Sequence, residues 1–299
     1  MLYDLNIAWS PSTTQDQLLQ TLTLSSSLGY STVALNHTLT LPLPPNLTAP
    51  FPTIPPSTSK LPNILHRATL PLSDPSANNY RISFLTSTYD IIAARPLTDK
   101  AFQNACLTLD VPIISMDFTQ HLQFHFKPKP CMAAVSRGIR FEVCYSQALS
   151  ADTRGRANFI SNVTSLIRAT RGRGLMISSE AKDALSLRAP ADVVNLLSVW
   201  GLGNEKGMQG LGEVPRSVVV NEGLKRNGFR GVINIVRVAE EAKGADDEDG
   251  KTLAGKKNKN KAQNQNQKRK NGEEESQQIS KRQAKKMKLA SRAAGAEKK

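Results

Sequence analysis

Residues Arg140–Leu202 read RFEVCYSQALSADTRGRANFISNVTSLIRATRGRGLMISSEAKDALSLRAPADVVNLLSVWGL and decide the fold. The predicted elements are the strand Phe141–Tyr145, a polar loop with Asp152, Arg154 and Arg156, the helix Ala157–Thr170, the strand Leu175–Ser178 and the helix Val193–Trp200. Within the first helix, Phe159, Val163, Leu166 and Ile167 are spaced so that one apolar stripe is buried. Strand and helix therefore alternate, with basic residues collected in the connections. This alternation is typical of an α/β protein with a parallel sheet.

The same alternation begins at the amino terminus. Leu2–Ala8 is predicted as a strand, Thr13–Leu28 as a helix capped by Ser12 or Thr13 and ended by Gly29, and Ser31–Leu35 as a second strand. The further predicted strands are Asn63–Leu70, Arg81–Thr86, Asp90–Ala94 and Val111–Asp117, and the further helices are Leu97–Asp110, Cys131–Arg137, Glu205–Leu211 and Arg216–Arg226. The run Gly231–Val238 is apolar and fits either state.

Two segments interrupt this order and set the domain boundaries. Proline is dense at about residues 40–79, which predicts a surface insertion rather than a helix. Residues 241–299 contain few apolar side chains to bury, which predicts a disordered basic tail. Residues 1–240 then form one α/β domain. Because neither G-x-G-x-x-G nor G-x-x-x-x-G-K-[ST] occurs, a barrel is favoured over a doubly wound nucleotide-binding fold, and no cofactor is expected.

The charge of the chain points to a polyanionic partner. The formal net charge is +14 and the isoelectric point is about 9.8. Residues 243–299 hold 17 of the 39 basic residues and 8 of the 25 acidic ones, so the preceding part is basic as well. From the charge alone, nucleic acid is the favoured partner and a membrane surface ranks second. Aromatic residues make up only 5% of the chain, which favours a structured RNA bound through its backbone over stacked single-stranded bases. No apolar stretch approaches the ~18 residues of a membrane span, so no membrane partner is expected.

The search for catalytic groups finds no complete constellation. His121 and His125 stand four residues apart but lack the glutamate of H-E-x-x-H, and they precede Pro128 in a predicted loop. Asp4 and Asp117 lie near strand ends, where a barrel carries catalytic carboxylates but where loop capping is the ordinary role. The alternative of a barrel metallohydrolase that uses these four residues stays open. No catalytic residue and no metal ligand is assigned.

Basic residues that flank the ends of predicted elements are the candidate RNA or partner contacts. Arginine forks match phosphate oxygens, and lysines supply point charges. The candidates are Arg81, Arg95, Lys127, Arg137, Arg140, Arg154, Arg168, Lys182 and Arg188. An alternative is a scaffold whose tail alone contacts RNA.

Several short motifs carry a resemblance to one family over about residues 1–238. They are Tyr3–Asn6, Ala34–His37, Asp117-Phe118, Phe141-Glu142 with Tyr145-Ser146, Ile160–Asn162, Ile177–Ala181 and Leu187–Leu196. With these motifs the chain resembles the thirty-kilodalton protein subunit of ribonuclease P and ribonuclease MRP, in its fungal form.

The resemblance implies an irregular TIM-like barrel, akin to the polymerase-and-histidinol-phosphatase metallohydrolases. Those enzymes carry an H-x-H pair on the first strand, where this chain has Asp4-Leu5-Asn6, so the metal ligands are expected to be lost. It further implies a non-catalytic subunit that binds the particle's RNA and its small protein subunits. Precursor tRNA is then only an indirect partner. The subunit is expected to support the processing of tRNA 5′ ends and of rRNA. The basic clusters Lys268–Lys270 and Lys281–Lys288 are consistent with a nuclear, and within it nucleolar, location.

Overall fold

A computed structural model of the protein describes residues 1–43, 48–52, 61–73, 82–229 and 233–234. In this part of the chain, a seven-stranded sheet follows chain order and every neighbouring pair is parallel. Its strands are β1 (Leu2–Ala8), β2 (Tyr30–Thr38), β3 (Asn63–Leu72), β4 (Ile91–Pro96), β5 (Ile113–Ser115), β6 (Arg140–Cys144) and β7 (Leu175–Ser178).

Helices connect the strands and continue beyond them. They are α1 (Gln15–Ser27), α2 (Ile82–Thr88), α3 (Asp99–Leu107), α4 (Pro128–Ser136), α5 (Tyr145–Ser150), α6 (Thr153–Thr170), α7 (Pro190–Val199), α8 (Asn204–Leu211) and α9 (Glu213–Asn227). A 3-10 turn (Ala184–Ser186) precedes α7, and a short antiparallel pair, β8 (Gly228–Phe229) and β9 (Ile233–Asn234), follows α9. None of the described helices is both long and apolar enough to cross a lipid bilayer.

The sheet curls until the segment after β7 meets β1. The amide of Glu180 donates to the carbonyl of Asn6 at 2.7 Å, and the amide of Ala8 donates to the carbonyl of Ala181 at 2.9 Å. A bridge between Ile7 and Ala181 lies in the same place. The sheet is thus a nearly closed parallel barrel, and the predicted TIM-like α/β class is confirmed.

The barrel interior has an apolar layer and a polar layer. Successive residues of a strand face opposite sides, so residues two apart share the interior. Ala34 and Met176 belong to the apolar layer, and two residues further along each strand Asn36 and Ser178 are buried polar groups. The other apolar members include Tyr3, Leu5, Ile91, Ala93 and Ile113. The polar layer therefore lies toward the carboxyl ends of the strands.

Helix α9 covers the amino-terminal end of the barrel. Its Val218 is buried in the apolar layer. In its last turn, Lys225 Nζ lies 3.3 Å from Asp110 Oδ1, and Arg226 pairs with Asp90. Because Asp110 and Asp90 precede β5 and β4, both ion pairs link the end of the helix to the starts of the strands.

The prediction of a strand at Arg81–Thr86 is wrong. Ile82–Thr88 is α2, and Leu85 on this helix is wholly buried. The β-branched Ile82, Thr86 and Thr88 raise strand propensity locally. A crossover between the parallel strands β3 and β4 instead packs a helix on the outside of the sheet, and burial of Leu85 overrides that propensity.

The prediction of a polar loop after β6 is also wrong. Helix α5 follows β6 directly, and Asp152 Oδ1 caps α6 by accepting from the amide of Gly155 at 2.7 Å. Arg154 and Arg156 therefore lie in the first turn of α6. The aspartate was itself an N-cap signal, but the arginines and Gly155 hid the apolar period that would have placed the helix start.

The other predicted elements within the described residues agree with the structure in type. The strands Leu2–Ala8 and Leu175–Ser178 also agree in their bounds, and the rest differ in theirs. The cap of α1 is Thr14 rather than Ser12 or Thr13, and Gln17 completes a capping box with it at 3.3 and 3.4 Å. The three cysteines are free and buried. Arg81, most of Gly231–Val238, residues 241–299 and parts of the proline-rich insertion lie outside the described residues.

Candidate functional site

A buried ion pair crosses the polar layer of the barrel. Arg67 Nη1 and Nη2 donate to Glu142 Oε1 and Oε2 at 2.5 and 2.6 Å, and neither side chain is exposed. Arg67 also donates to the carbonyl of Leu5 at 2.6 Å, and Ser178 Oγ donates to Glu142 at 2.6 Å. Burial raises the pKa of Glu142, but the charge and hydrogen bonds of Arg67 lower it by more, to about 2. Both groups are therefore ionised and joined by two charge-assisted hydrogen bonds.

An amide chain holds the position that the resemblance compares with a metal ligand. Asn6 Nδ2 donates to Glu142 Oε2 at 3.2 Å. Asn36 Nδ2 donates to Asn6 Oδ1 at 2.9 Å, and Thr69 Oγ1 donates to Asn36 Oδ1 at 2.7 Å. Both polar ends of the Asn6 side chain are thus engaged within the protein, and its role here is structural.

Asp4 ties β1 to the segment after β7. Its Oδ1 accepts from the amide of Ser179 at 3.0 Å and from the amide of Asn6 at 3.3 Å. The carboxyl is wholly buried, and this burial raises its pKa to about 6 although the bonds from Ser179 lower it. Asp4 therefore fastens the place where the barrel closes.

A polar cavity of about 760 Å³ opens at the carboxyl ends of the strands, opposite α9. We refer to it as the mouth cavity. Arg95 Nη2 donates to Glu180 Oε1 at 2.6 Å, and Gln147 Nε2 donates to Glu180 Oε2 at 2.6 Å. Glu180 has a φ of 54°, a left-handed conformation that costs a non-glycine residue on the order of 1 kcal/mol. That conformation holds its carboxylate between the two donors, so the cavity has a fixed polar wall.

The candidate contact residues separate into two groups at opposite ends of the barrel. Arg95, Lys127, Arg154, Lys182 and Arg188 belong to the ends of strands or the starts of helices at the mouth. Arg137, Arg140 and Arg168 belong to the ends of helices or the start of a strand at the far end. The described candidates therefore do not form one continuous patch.

Some of these cations are already bound within the fold. Arg137 donates to the carbonyls of Cys106, Thr108 and Leu109 at 2.8, 3.2 and 2.7 Å, where it caps the end of α3. Arg188 donates to the carbonyls of Leu185 and Leu187, both at 2.7 Å. Arg95 pairs with Glu180. Arg137 uses both of its terminal nitrogens in these bonds, whereas Arg188 uses only Nη1 and Arg95 only Nη2.

The remaining exposed candidates keep their charges free. Within the described part of the chain, the side chains of Lys127, Arg154, Arg168 and Lys182 are exposed and make no hydrogen bond or ion pair. Arg154 and Lys182 both line the mouth cavity. As far as the structure describes the chain, the mouth cavity thus has two unpaired cations, Arg154 and Lys182, beside a wall in which Glu180 is already paired with Arg95.

The four residues of the metallohydrolase alternative are not brought together. His121 and Asp117 line the mouth cavity, whereas Asp4 is buried below it and His125 lies in an exposed loop. Asp117 Oδ1 accepts from Thr119 Oγ1 at 2.6 Å. Among the described residues, no group of three or more histidine, cysteine or acidic side chains is arranged to hold a metal ion.

Sequence reasoning missed the residues of the interior network. Arg67 and Glu142 are each a lone charge within an apolar strand, and this was the available signal that they pair. No comparable signal marks Glu180 or Gln147. Their role depends on a backbone conformation and on the approach of separate loops.

The comparisons with known proteins agree on one family. The model of the family described as RNase P subunit p30 matches residues 1–227. The probable ribonuclease P protein subunit 3 of Schizosaccharomyces pombe is 36% identical over 235 residues, which cover 78% of this chain and 99% of that protein. The ribonuclease P protein subunit p30 of Mus musculus is 33% identical over 235 residues, covering 75% of this chain and 87% of that protein. The ribonuclease P/MRP protein subunit RPP1 of Saccharomyces cerevisiae is 28% identical over 259 residues, covering 78% and 84%.

A solved structure has the same fold. A chain in the cryo-EM structure of an archaeal ribonuclease P with mature tRNA superposes with a TM-score of 0.60 at 13% identity, covering 80% of this chain and 100% of that one. The matched family model spans most of the sequence, and the fungal and mouse relatives are matched over most of their length. The chain belongs to the RNase P subunit p30 family.

Proposed function

We propose that this chain is a non-catalytic protein subunit of ribonuclease P and ribonuclease MRP, which supports the processing of tRNA 5′ ends and of rRNA. The observation that carries the proposal is its membership of the p30 family over residues 1–227. Its partners are the RNA of the particle and small protein subunits of the same particle, and precursor tRNA is met indirectly. Its place is the nucleus, and within it the nucleolus.

The chemistry of the barrel supports a binding role over a catalytic one. The polar groups of the interior, Arg67, Glu142 and Asn6, are bound to one another. A catalytic group must contact its substrate, and these side chains are buried beneath the mouth. The free charges are instead the cations at the surface.

Unpaired cations at the mouth suit a phosphate backbone. Lys127, Arg154 and Lys182 are exposed there without partners in the described part of the chain. Each neutralised phosphate releases counterions, which gives affinity without reading the bases. Arg81 and Arg168 stay candidates for RNA or partner contacts. Arg95, Arg137 and Arg188 are better explained as residues that hold the surface in shape, and Arg140 at the start of β6 suits a partner at the far end.

A binding experiment with the full chain tests the proposal. We expect the particle's RNA to bind more tightly than an unrelated RNA of equal length, with an affinity that falls as salt rises. A chain truncated after residue 242 should retain part of this affinity, because the barrel carries a surface of its own. Loss of all RNA binding on truncation would favour a scaffold whose tail alone contacts RNA. Metal-dependent cleavage of precursor tRNA by the protein alone would favour the metallohydrolase alternative.

A further inference from the structure

The mouth cavity has the size of a small-molecule site. Its volume is about 760 Å³, and such sites usually measure about 300–1,000 Å³. It lies above the Arg67–Glu142 pair, which is wholly buried and does not line it. The cavity is therefore distinct from the buried ion pair.

The carboxylates around the cavity are bound within the protein. Asp117 Oδ1 accepts from the amide of Thr119 at 3.0 Å and from its hydroxyl at 2.6 Å. Asp152 caps the start of α6 through the amide of Gly155. Glu180 is held by Arg95 and Gln147. All three acids are thus compensated by donors of the fold.

The rim cations, in contrast, have nothing to bind in the described part of the chain. Arg154 and Lys182 line the same cavity and are exposed. A guanidinium fork and an ammonium group on one rim suit a phosphate group, which accepts several hydrogen bonds at once. The position of the unpaired charge points to an anionic group at the rim.

The other residues that line the mouth cavity include neutral amide side chains and one imidazole ring. Asn158 Nδ2 donates to the carbonyl of Thr119 at 3.0 Å, which leaves its amide oxygen free to accept. The exposed Gln120 adds a second amide, and His121 adds a flat ring. Amides donate and accept in the way that the edge of a nucleobase requires, and an imidazole ring can stack on its face.

We propose that the mouth cavity binds one nucleoside monophosphate unit, with its phosphate on Arg154 and Lys182 and its base beside His121, Gln120 and Asn158. The unit is either a free nucleotide or an unpaired nucleotide that an RNA turns out of its own fold. The second source rests on the proposed function; the first does not.

Calorimetric titration of the full chain tests the site. AMP, CMP, GMP, UMP, inorganic phosphate, a short unpaired oligoribonucleotide and its duplex form are the probes. We expect saturable one-to-one binding of at least one nucleoside monophosphate with a dissociation constant below about 1 mM, and binding of inorganic phosphate that is at least about tenfold weaker. If the unpaired oligoribonucleotide binds at least about tenfold more tightly than both the free nucleotide and the duplex, the source is RNA. If it binds no more tightly than the free nucleotide, the source is the free nucleotide.

Two variants separate the cavity from general charge. Ser150→Trp fills the mouth without changing charge, since Ser150 is exposed and its hydroxyl bonds only within its own helix. Lys182→Ala removes one rim cation. Each should weaken nucleotide binding by about tenfold or more, whereas Arg216→Ala, an exposed cation on α9 at the far end, should leave it unchanged.

The proposal is overturned if no nucleoside monophosphate and no oligoribonucleotide binds saturably, or if a folded Ser150→Trp protein binds them as the unchanged chain does. The particle's RNA is measured with the same proteins. Tight binding of that RNA together with either of those results removes the cavity proposal and leaves the proposed function standing. Failure to bind that RNA, together with saturable nucleotide binding that Ser150→Trp abolishes, removes the proposed function and leaves the cavity as a free-nucleotide site.

Discussion

Arg67 on β3 and Glu142 on β6 face each other across the barrel and share two hydrogen bonds of 2.5 and 2.6 Å, with no exposure of either side chain. The pair links strands that are three positions apart in the sheet. Through the carbonyl of Leu5 and the hydroxyl of Ser178, it also reaches β1 and β7. The polar layer of this barrel is therefore a structural tie.

Removing one partner of this pair should destabilise the protein strongly. Arg67→Met leaves Glu142 as an uncompensated buried charge, which costs about 3–5 kcal/mol. Denaturant unfolding of the full chain, followed by circular dichroism, measures the change. Adding Glu142→Gln to Arg67→Met removes the orphaned charge, so the double variant should be more stable than the single one.

The control for this series is Arg216→Ala, an exposed cation on α9. Its unfolding free energy should change by no more than about 0.5 kcal/mol. If Arg67→Met lowers the unfolding free energy by less than about 1 kcal/mol, or if the double variant is less stable than the single one, the ion pair does not stabilise the barrel as stated.

The stability of the barrel closure should depend on pH through Asp4. Burial raises the pKa of this carboxyl from 3.8 to about 6, so the folded protein holds the proton more tightly than the unfolded chain does. The resulting stabilisation is fully present below about pH 4 and is lost as the pH rises to about 6, amounting to at most about 3 kcal/mol. Glu142 has the opposite sign: its pKa falls from 4.5 to about 2, so its contribution is fully present above about pH 4.5 and is lost as the pH falls from there to about 2.

Asp4→Asn isolates this effect. Thermal unfolding at several pH values between about 4.5 and 7 should show the unchanged chain losing stability relative to the variant as the pH rises. A difference between the two proteins that is independent of pH would mean that Asp4 does not titrate in this range.

Arg137 should act on stability and not directly on RNA. Its guanidinium binds the carbonyls of Cys106, Thr108 and Leu109 at the end of α3. Arg137→Ala leaves these carbonyls to water and should cost about 1–2 kcal/mol. The particle's RNA should bind the folded variant with unchanged affinity. A weakened affinity without a loss of stability would instead make Arg137 an RNA-binding residue.

The cations of the mouth should show the reverse behaviour. Arg154→Ala and Lys182→Ala remove exposed side chains that have no partner in the described part of the chain, so the melting temperature should stay the same. Filter-binding measurements at several salt concentrations should show weaker binding of the particle's RNA. The salt slope should fall by roughly 0.7–0.9 for each phosphate that the variant no longer neutralises. Arg216→Ala is again the matched control. An unchanged slope in both mouth variants would place the RNA elsewhere on the protein.

The barrel class was predictable because its strands are recognisable from local sequence. Leu2–Ala8 sets Asp4 and Asn6 between apolar neighbours, and Leu175–Ser178 is a short, mainly apolar run between Gly174 and Ser179. Parallel pairing then follows from the helices between them. The strand predicted at Arg81–Thr86 was wrong because tertiary packing of Leu85 outweighs the local propensity of its β-branched neighbours.

The site was less predictable because its geometry depends on distant parts of the chain. Arg95 and Arg137 looked like free cations in the sequence, and each is bound by a carboxylate or by carbonyls that folding brings in from distant residues. Arg188 instead binds carbonyls of its own segment. Element ends concentrate both functional cations and capping cations, and the sequence does not separate the two roles. Exposure and hydrogen bonding separate them in the structure.

Reconstitution of precursor tRNA cleavage tests the central claim most directly. The particle is assembled from its RNA and protein subunits with this chain and without it, and the isolated chain is assayed beside them with magnesium, manganese and zinc. We expect 5′ leader cleavage by the complete particle, at least about a tenfold loss without this chain, and no cleavage by the isolated chain with any metal. Metal-dependent cleavage by the isolated chain, or full activity of the particle without it, would contradict a non-catalytic subunit that the RNA enzyme requires.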